Sequence, residues 1–254
     1  MAVSAQCSDR AVYENGTYWA AKMDADSVYK VRLVNELMRQ VSCDWPAEPK
    51  IAEVGSGPGP FLLPFAESLR ASGLAPVLAA FDISPSAIAE GRARSDARHL
   101  AIEWHVGSAA DMPAGWDYIF VMDVLEHLEN PAQFLRDLTE KSSYVILHLP
   151  IEQSLAHMLM SRPRQSFETF AHLQFYSLES AKILLETSPF QVVDYLFSGA
   201  SKATLATSRS PVMRLVKLGR FYAYKISPRL TSVAAGGSML WLLENEPNRA
   251  RAAV

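Results

Sequence analysis

Apolar positions along the chain follow two rhythms in turn. In VYKVRLVNELMRQV, Val28, Val31, Leu33, Val34, Leu37, Met38 and Val41 fall near helical spacing, which predicts an amphipathic helix over 28–41, broken by WPAEP. KIAEV then reads as a short buried strand entering a glycine turn, and FLLPFAESLRASG as the helix behind it. PVLAAFDIS is a second strand; PSAIAEGRARSDA is a second helix, with Ser84 as cap and Pro85 in its first turn. AIEWHVGSAADMP gives a third strand and a loop, WDYIFVMDVLEHL a fourth strand running into a helix, and YVILHLP a fifth strand. After these come a helix in SLESAKILLETSPF and two more strands, QVVDYLFSG and GGSMLWLLEN. Strands alternating with helices predict an α/β fold: a doubly wound, mostly parallel sheet of seven strands.

Two long connections interrupt the alternation, at about 151–175 and 199–233. Long loops on an open α/β sheet are where lids and substrate pockets are built. The expected organisation is an N-terminal helical or lid segment over 1–45, followed by one domain over 46–254 that carries both insertions. The length of 254 residues suits one large domain. Cys7 and Cys43 have no metal-type spacing, no apolar run is long enough for a bilayer, and MAVSAQCSDR lacks a signal-peptide pattern, so a cytoplasmic setting is expected. The net charge of −3 conceals an asymmetry. Between Asp194 and Glu244 there is no acid, yet Lys202, Arg209, Arg214, Lys217, Arg220, Lys225 and Arg229 all fall there. Such a stretch is either a solvated helix face or a surface for an anionic substrate, a phosphate group or membrane headgroups.

EVGSGPG sets Glu53, Gly55, Gly57 and Gly59 between a strand and a helix. Glycines permit positive φ and close approach of a ligand, and the helix behind them offers free N–H groups. Asp82 closes the second strand, where a carboxylate can accept from ribose hydroxyls. An adenosine-bearing cofactor is therefore expected. A dinucleotide fits poorly: its fingerprint wants a glycine where Pro60 stands, and Glu53 would repel a pyrophosphate. A cofactor with an amino-acid moiety and a sulfonium cation suits a glycine turn flanked by an acid.

In order, EVGSGPG, FDIS, GSAADMP and DYIFVMDVLEHLENP resemble the motifs of class I S-adenosylmethionine-dependent methyltransferases, over roughly 50–200. The resemblance implies that Glu53, Gly55, Ser56, Gly57 and Gly59 hold the methionine end, Asp82 and the adjoining Ile83 the ribose side, and Asp111 with Met112 the adenine. Asp123 would line the same cofactor site. It also implies a seventh strand running antiparallel beside the sixth. YENGTYW, HLPIEQS, HLQFYSLESA and GGSMLWLLEN are further similar to a bacterial group that accompanies cell-surface polysaccharide and lipid-linked glycan biosynthesis.

VMDVLEHLENP admits three readings. Asp123 and Glu126 can form a capping box, with Asp123 orienting His127 one turn on. Acid-x-x-Glu-His also resembles the magnesium site of ubiquinone-pathway and small-RNA 2′-O-methyltransferases, with His148 or His172 as a further ligand. Hard cations prefer oxygen, so magnesium is not the favoured reading and no metal ligand is assigned. Third, a hydroxyl acceptor needs a base, for which His172, His127 and His148 are the candidates; His172 leads and His148 is the most structural in character. Tyr13, Tyr18 and Trp19, and the Phe221, Tyr222 and Tyr224 set, are aromatic candidates for closing over a ligand or for packing.

The expectation is methyl transfer from S-adenosylmethionine to a sugar hydroxyl or lipid-linked glycan, a small-molecule acceptor that the basic stretch suits if anionic. Peripheral membrane contact fits the same stretch. The alternatives are a metal-dependent O-methyltransferase of a small metabolite such as a quinone precursor, and a non-catalytic S-adenosylmethionine-binding partner subunit. No recognisable RNA- or DNA-binding module accompanies the basic residues, so no nucleic-acid partner is expected.

Overall fold

The computed structural model describes residues 23–199 and 211–245. Cys7, Tyr13, Tyr18, Trp19, Lys202 and Arg209 lie outside the described residues. The elements, in chain order, begin with α1 (Met23–Gln40), β1 (Lys50–Val54), α2 (Leu62–Ala71), β2 (Val77–Asp82), α3 (Pro85–Ala97) and β3 (Glu103–Val106). Next come β4 (Trp116–Met122), α4 (Pro131–Leu138), β5 (Ser142–Ile151), α5 (Leu155–Leu159) and α6 (Arg162–Phe170). The last are α7 (Leu178–Glu186), β6 (Phe190–Ser198), α8 (Pro211–Ile226), α9 (Pro228–Ala235) and β7 (Gly237–Asn245).

The strands form a single sheet in the order β3-β2-β1-β4-β5-β7-β6. β1 to β5 pair in parallel, while β7 runs antiparallel to β5 on one side and to β6 on the other. The expected antiparallel last strand is present, inserted as a wedge between its two neighbours. Period-2 alternation divides the core. Ile51, Tyr118, Phe120, Met122 and Ile146 face α1 and α2, whereas Ala52, Val54, Ile119, Val121 and Val145 face α4 and α7. Leu33, Val34, Leu37 and Met38 of α1 are buried in the first layer, so this helix covers the sheet directly.

Local chemistry explains the element starts. Ser84 caps α3, its Oγ accepting from Ala87 N, with Pro85 at the first helical position. Asn130 does the same for α4 through Gln133 N. The reversal at β1, β2 and β4 leaves their carboxyl ends side by side, where ligands bind in open α/β sheets. Both insertions contain helices: α5 and α6 in the first, α8 and α9 in the second.

Candidate active site

The turn after β1 is held by the neighbouring strand. Gly55 N and Ser56 N both donate to Phe81 O at the end of β2, at 2.8 and 3.1 Å, and Gly59 N donates to Ser56 O. Gly55, Gly57 and Gly59 all have positive φ, of 69°, 51° and 78°. At Gly55 the space is closed as well, since a Cβ would stand 2.6 Å from Val124 Cγ2. Asp82 is buried and braces this loop, accepting from Gly57 N and Ser84 N, both at 2.8 Å. Burial pushes its carboxyl up, against those two hydrogen bonds. The next residue, Ile83, is 56% exposed, an apolar surface beside the loop.

Under the turn lies Glu53, which is buried and takes a hydrogen bond from the Leu62 backbone at the start of α2. Its Oε2 has no hydrogen-bond partner among the described residues. Burial pushes the Glu53 carboxyl well above the usual carboxylate range, and Asp82 and Asp123 add to that, outweighing the cation of Lys30. A buried acid with an orphaned oxygen, roofed by a loop whose N–H groups a ligand can approach, fits a ligand with a cationic amino-acid end.

At the end of β4 the structure departs from the sequence reading. No helix begins at Asp123; Leu125–His127 is a 3-10 turn whose N-cap, Val124, makes no side-chain capping bond. Asp123 itself sits at φ +57°, its N–H bonded to His148 O at 3.1 Å. That left-handed step turns its carboxylate away from the helix start. The capping box between Asp123 and Glu126 is therefore absent, and Asp123 does not orient His127. Instead Asp123 Oδ1 meets His148 Nδ1 at 2.5 Å, while Oδ2 pairs with Lys30 Nζ of α1. Burial alone would raise the Asp123 pKa, but Lys30 and His148 together hold it well below the usual carboxylate range. Lys30, which also pairs with Asp26 at 3.3 Å, is pushed up by these two acids despite its burial. His148 Nε2 is buried with no partner among the described residues.

The other two histidines assemble elsewhere. His172 Nδ1 lies 2.7 Å from Glu152 Oε2, and Ser166 Oγ donates to Glu152 Oε1 at 2.7 Å. Burial would raise Glu152, but the hydrogen bonds from His172 and Ser166 bring it down. The His127 ring stands edge-on to His172, centroids 4.8 Å apart, and hydrogen-bonds the Ala171 backbone. Burial and the neighbouring His172 push the His127 pKa down to about 4, leaving a neutral imidazole at physiological pH. Glu126 adjoins them, fully buried, and burial and Asp123 push its carboxyl well up. One ligand atom from each of Glu126, His127 and His172 falls within 4.8 Å of the others. His172 thus joins Glu126 and His127 of the DVLEH motif, and His148 belongs to Asp123. The loop is fastened there because Leu173 N and Gln174 N both donate to Glu126 O, at 2.7 and 2.9 Å.

Asp111 and Met112 are placed less simply. Asp111 ends a 3-10 turn over Ala109–Asp111 in a capping box with Ser108, whose N and Oγ both donate to Asp111 Oδ2 at 2.8 Å. Those bonds hold its carboxyl low. Met112 is buried in the layer with Ala109 and Val121. Sequence reasoning missed Lys30, Glu152 and Ser166. Lys30 lies 93 positions from Asp123 with no motif of its own, and only the fold joins them.

A parallel sheet with an antiparallel β7 wedged between β5 and β6, and a glycine turn over a buried acid, define the class: the fold of S-adenosylmethionine-dependent methyltransferases. Residues 30–195 match the family described as methyltransferase domain, and the chain belongs to that family. It is an S-adenosylmethionine-dependent methyltransferase. Solved structures share the fold at low identity. Magnesium protoporphyrin IX methyltransferase from Synechocystis PCC 6803, with bound SAH, is 12% identical at a TM-score of 0.60, covering 94% of this chain and 95% of that one. Mitomycin 7-O-methyltransferase is 16% identical at 0.54, covering 84% and 53%, and a [4+2]-cyclase is 13% identical at 0.55, covering 85% and 80%. No curated protein matches the sequence. Neighbours with such different activities mean that the fold does not name the acceptor.

Proposed function

We propose that the protein transfers a methyl group to a hydroxyl of a sugar or lipid-linked glycan. Supporting this reading is one observation above others: a neutral, half-buried His127 beside a His172 that Glu152 holds by its Nδ1. A hydroxyl must lose its proton as it attacks, and a carboxylate-oriented imidazole is a group for that. In this reading Glu53 and the backbone of Gly55, Ser56, Gly57 and Gly59 hold the methionine end. Asp82 accepts from the ribose through its remaining lone pairs, and Ile83 packs on the adenine. Asp111 receives the adenine amino group, with Met112 supporting the loop from within. Asp123 fixes Lys30 and His148 below the site, leaving His148 as a positioning group.

S-adenosylmethionine supplies an electrophilic methyl carbon on a sulfonium. With the donor bound, His172 Nε2 would take the proton of an acceptor hydroxyl aligned for in-line attack on that carbon. Glu152 keeps the resulting imidazolium oriented and balanced, and Ser166 fixes Glu152. The basic residues of the second insertion suit an acceptor bearing a phosphate. A cytoplasmic setting, where the methyl donor is made and used, accords with this reading.

A second reading rests on the Glu126, His127 and His172 cluster, whose two nitrogens and one oxygen suit a transition-metal dication better than magnesium. There the acceptor hydroxyl would be acidified by a metal. One experiment separates the two. The protein is titrated calorimetrically with S-adenosylhomocysteine in EDTA, and transfer to glycan acceptors is then assayed with and without chelator. Micromolar binding and EDTA-resistant transfer, lost in His172→Gln, is the expected result. Transfer abolished by EDTA and restored by manganese or zinc replaces the base reading with the metal one. Failure to bind S-adenosylhomocysteine while folded would refute the cofactor site itself.

A further inference from the structure

Two polar groups of α8 are anchored inward: Tyr224 OH is buried and bonds Gly236 O at 2.8 Å and Ser232 Oγ at 2.9 Å, and an Arg220 guanidinium nitrogen donates to the same Gly236 O at 2.9 Å. Gly237 makes room for that anchor, since a Cβ there would stand 1.7 Å from the Tyr224 oxygen. Four large apolar residues of the same helix point outward. Leu215, Leu218, Tyr222 and Ile226 are all exposed, Leu215 at 71% and Ile226 at 86%, and their spacing of three, four and four places them on one stripe. Leu230 of α9 and Leu159 of α5, a helix packed against α9, are exposed as well. A water-soluble helix would turn this stripe to the core.

The charges carried by α8 and α9 are of one sign, and one of them, Arg229, pairs with Glu179 of α7 at 3.6 Å. Arg214, Lys217, Lys225 and Arg229 lie on α8 and α9, no acid falls between Asp194 and Glu244, and Lys225 reaches over the Phe221 ring at 5.1 Å. Large aliphatic side chains beside an aromatic, flanked by Lys and Arg, form the composition of a helix that lies in the headgroup plane of an anionic membrane. None of the described helices is long and apolar enough to cross a membrane, so the contact is with a surface.

We propose that α8, with α9 and α5, docks this protein on an anionic lipid bilayer. The docking is independent of which acceptor is methylated. It would set the pocket at the carboxyl ends of the strands beside the membrane, where a lipid-linked acceptor resides. The test is co-sedimentation of the full chain with phosphatidylcholine vesicles and with mixed phosphatidylcholine–phosphatidylglycerol vesicles, at low and high salt. Binding is expected to the mixed vesicles, falling as salt rises. The double variant Leu218→Asp, Ile226→Asp should weaken it at least roughly tenfold. Both side chains are exposed, so S-adenosylhomocysteine affinity and melting temperature should stay unchanged, which separates lost docking from lost folding or a failed cofactor site. No binding to mixed vesicles, or equal binding by the double variant, overturns the proposal. A self-associated protein that the same variant turns into a monomer, with no vesicle binding, overturns it in favour of a second copy covering the stripe.

Discussion

Replacing Glu53 with Gln tests the heart of the cofactor site. The carboxyl is buried, takes one hydrogen bond from the Leu62 backbone and leaves Oε2 without a partner among the described residues. Without ligand, burial favours its protonated form. A cation arriving above the glycine turn reverses that preference, so cofactor binding releases a proton from Glu53. A hydrogen bond or close contact to a charged group contributes about 1.5–3 kcal/mol, which at 1.4 kcal/mol per decade is roughly a 10- to 150-fold rise in Kd for Glu53→Gln. The free protein should tolerate the change, because Gln keeps the shape and removes only a charge that the site disfavours. The pH dependence follows from the raised folded pKa. The native state holds this proton more tightly than the unfolded chain, so its contribution to stability is complete at low pH and is lost as pH rises from the unfolded value through the folded one. Wild-type stability should thus fall more steeply with rising pH than that of Glu53→Gln, while Glu126 and Asp82, raised in both proteins, cancel in the comparison. Calorimetry in buffers of different ionisation enthalpy measures the proton release, and melting against pH measures the slope. A variant Kd within about twofold of wild type, together with identical slopes, would refute the reasoning.

Two further substitutions probe the frame. Asp123→Asn keeps a residue that tolerates the left-handed backbone while stripping the charge between Lys30 and His148. About a third of the Asp123 side chain is exposed, so screening trims the loss to about 1–2 kcal/mol. Because Asp123 is held low in the folded state, the gap between the two proteins in chemical denaturation should be full near neutrality and narrow as pH falls below about 4; a constant gap would contradict the pairing. Gly91→Ala would put a methyl 2.2 Å from the Trp104 ring, which also flanks Gly59. Overpacking of about 1–3 kcal/mol should outweigh the helix gain of about 1 kcal/mol, lowering the melting temperature and weakening S-adenosylhomocysteine; a raised melting temperature would show that the ring moves freely.

The sequence by itself determined the sheet and the cofactor turn. Period-2 strands such as IAEV and YIFVM carry their burial pattern in the residues themselves, and Gly55 and Gly59 are needed by a backbone whose positive φ is a local property. The cap at Ser84 was legible for the same reason, since its bond reaches only three residues. Where the capping-box reading of DVLEH failed, the interactions are long-range. A capping box satisfies local hydrogen bonds, but Lys30 and His148, from α1 and β5, offer Asp123 two partners of opposite charge or matching polarity, and they win. His172 was nominated from its loop, yet only the fold supplied Glu152 to hold it and His127 to face it. The outward stripe of α8 was likewise hidden, because periodicity reports that a helix has an apolar face, and the tertiary structure alone decides whether that face meets the core or the solvent.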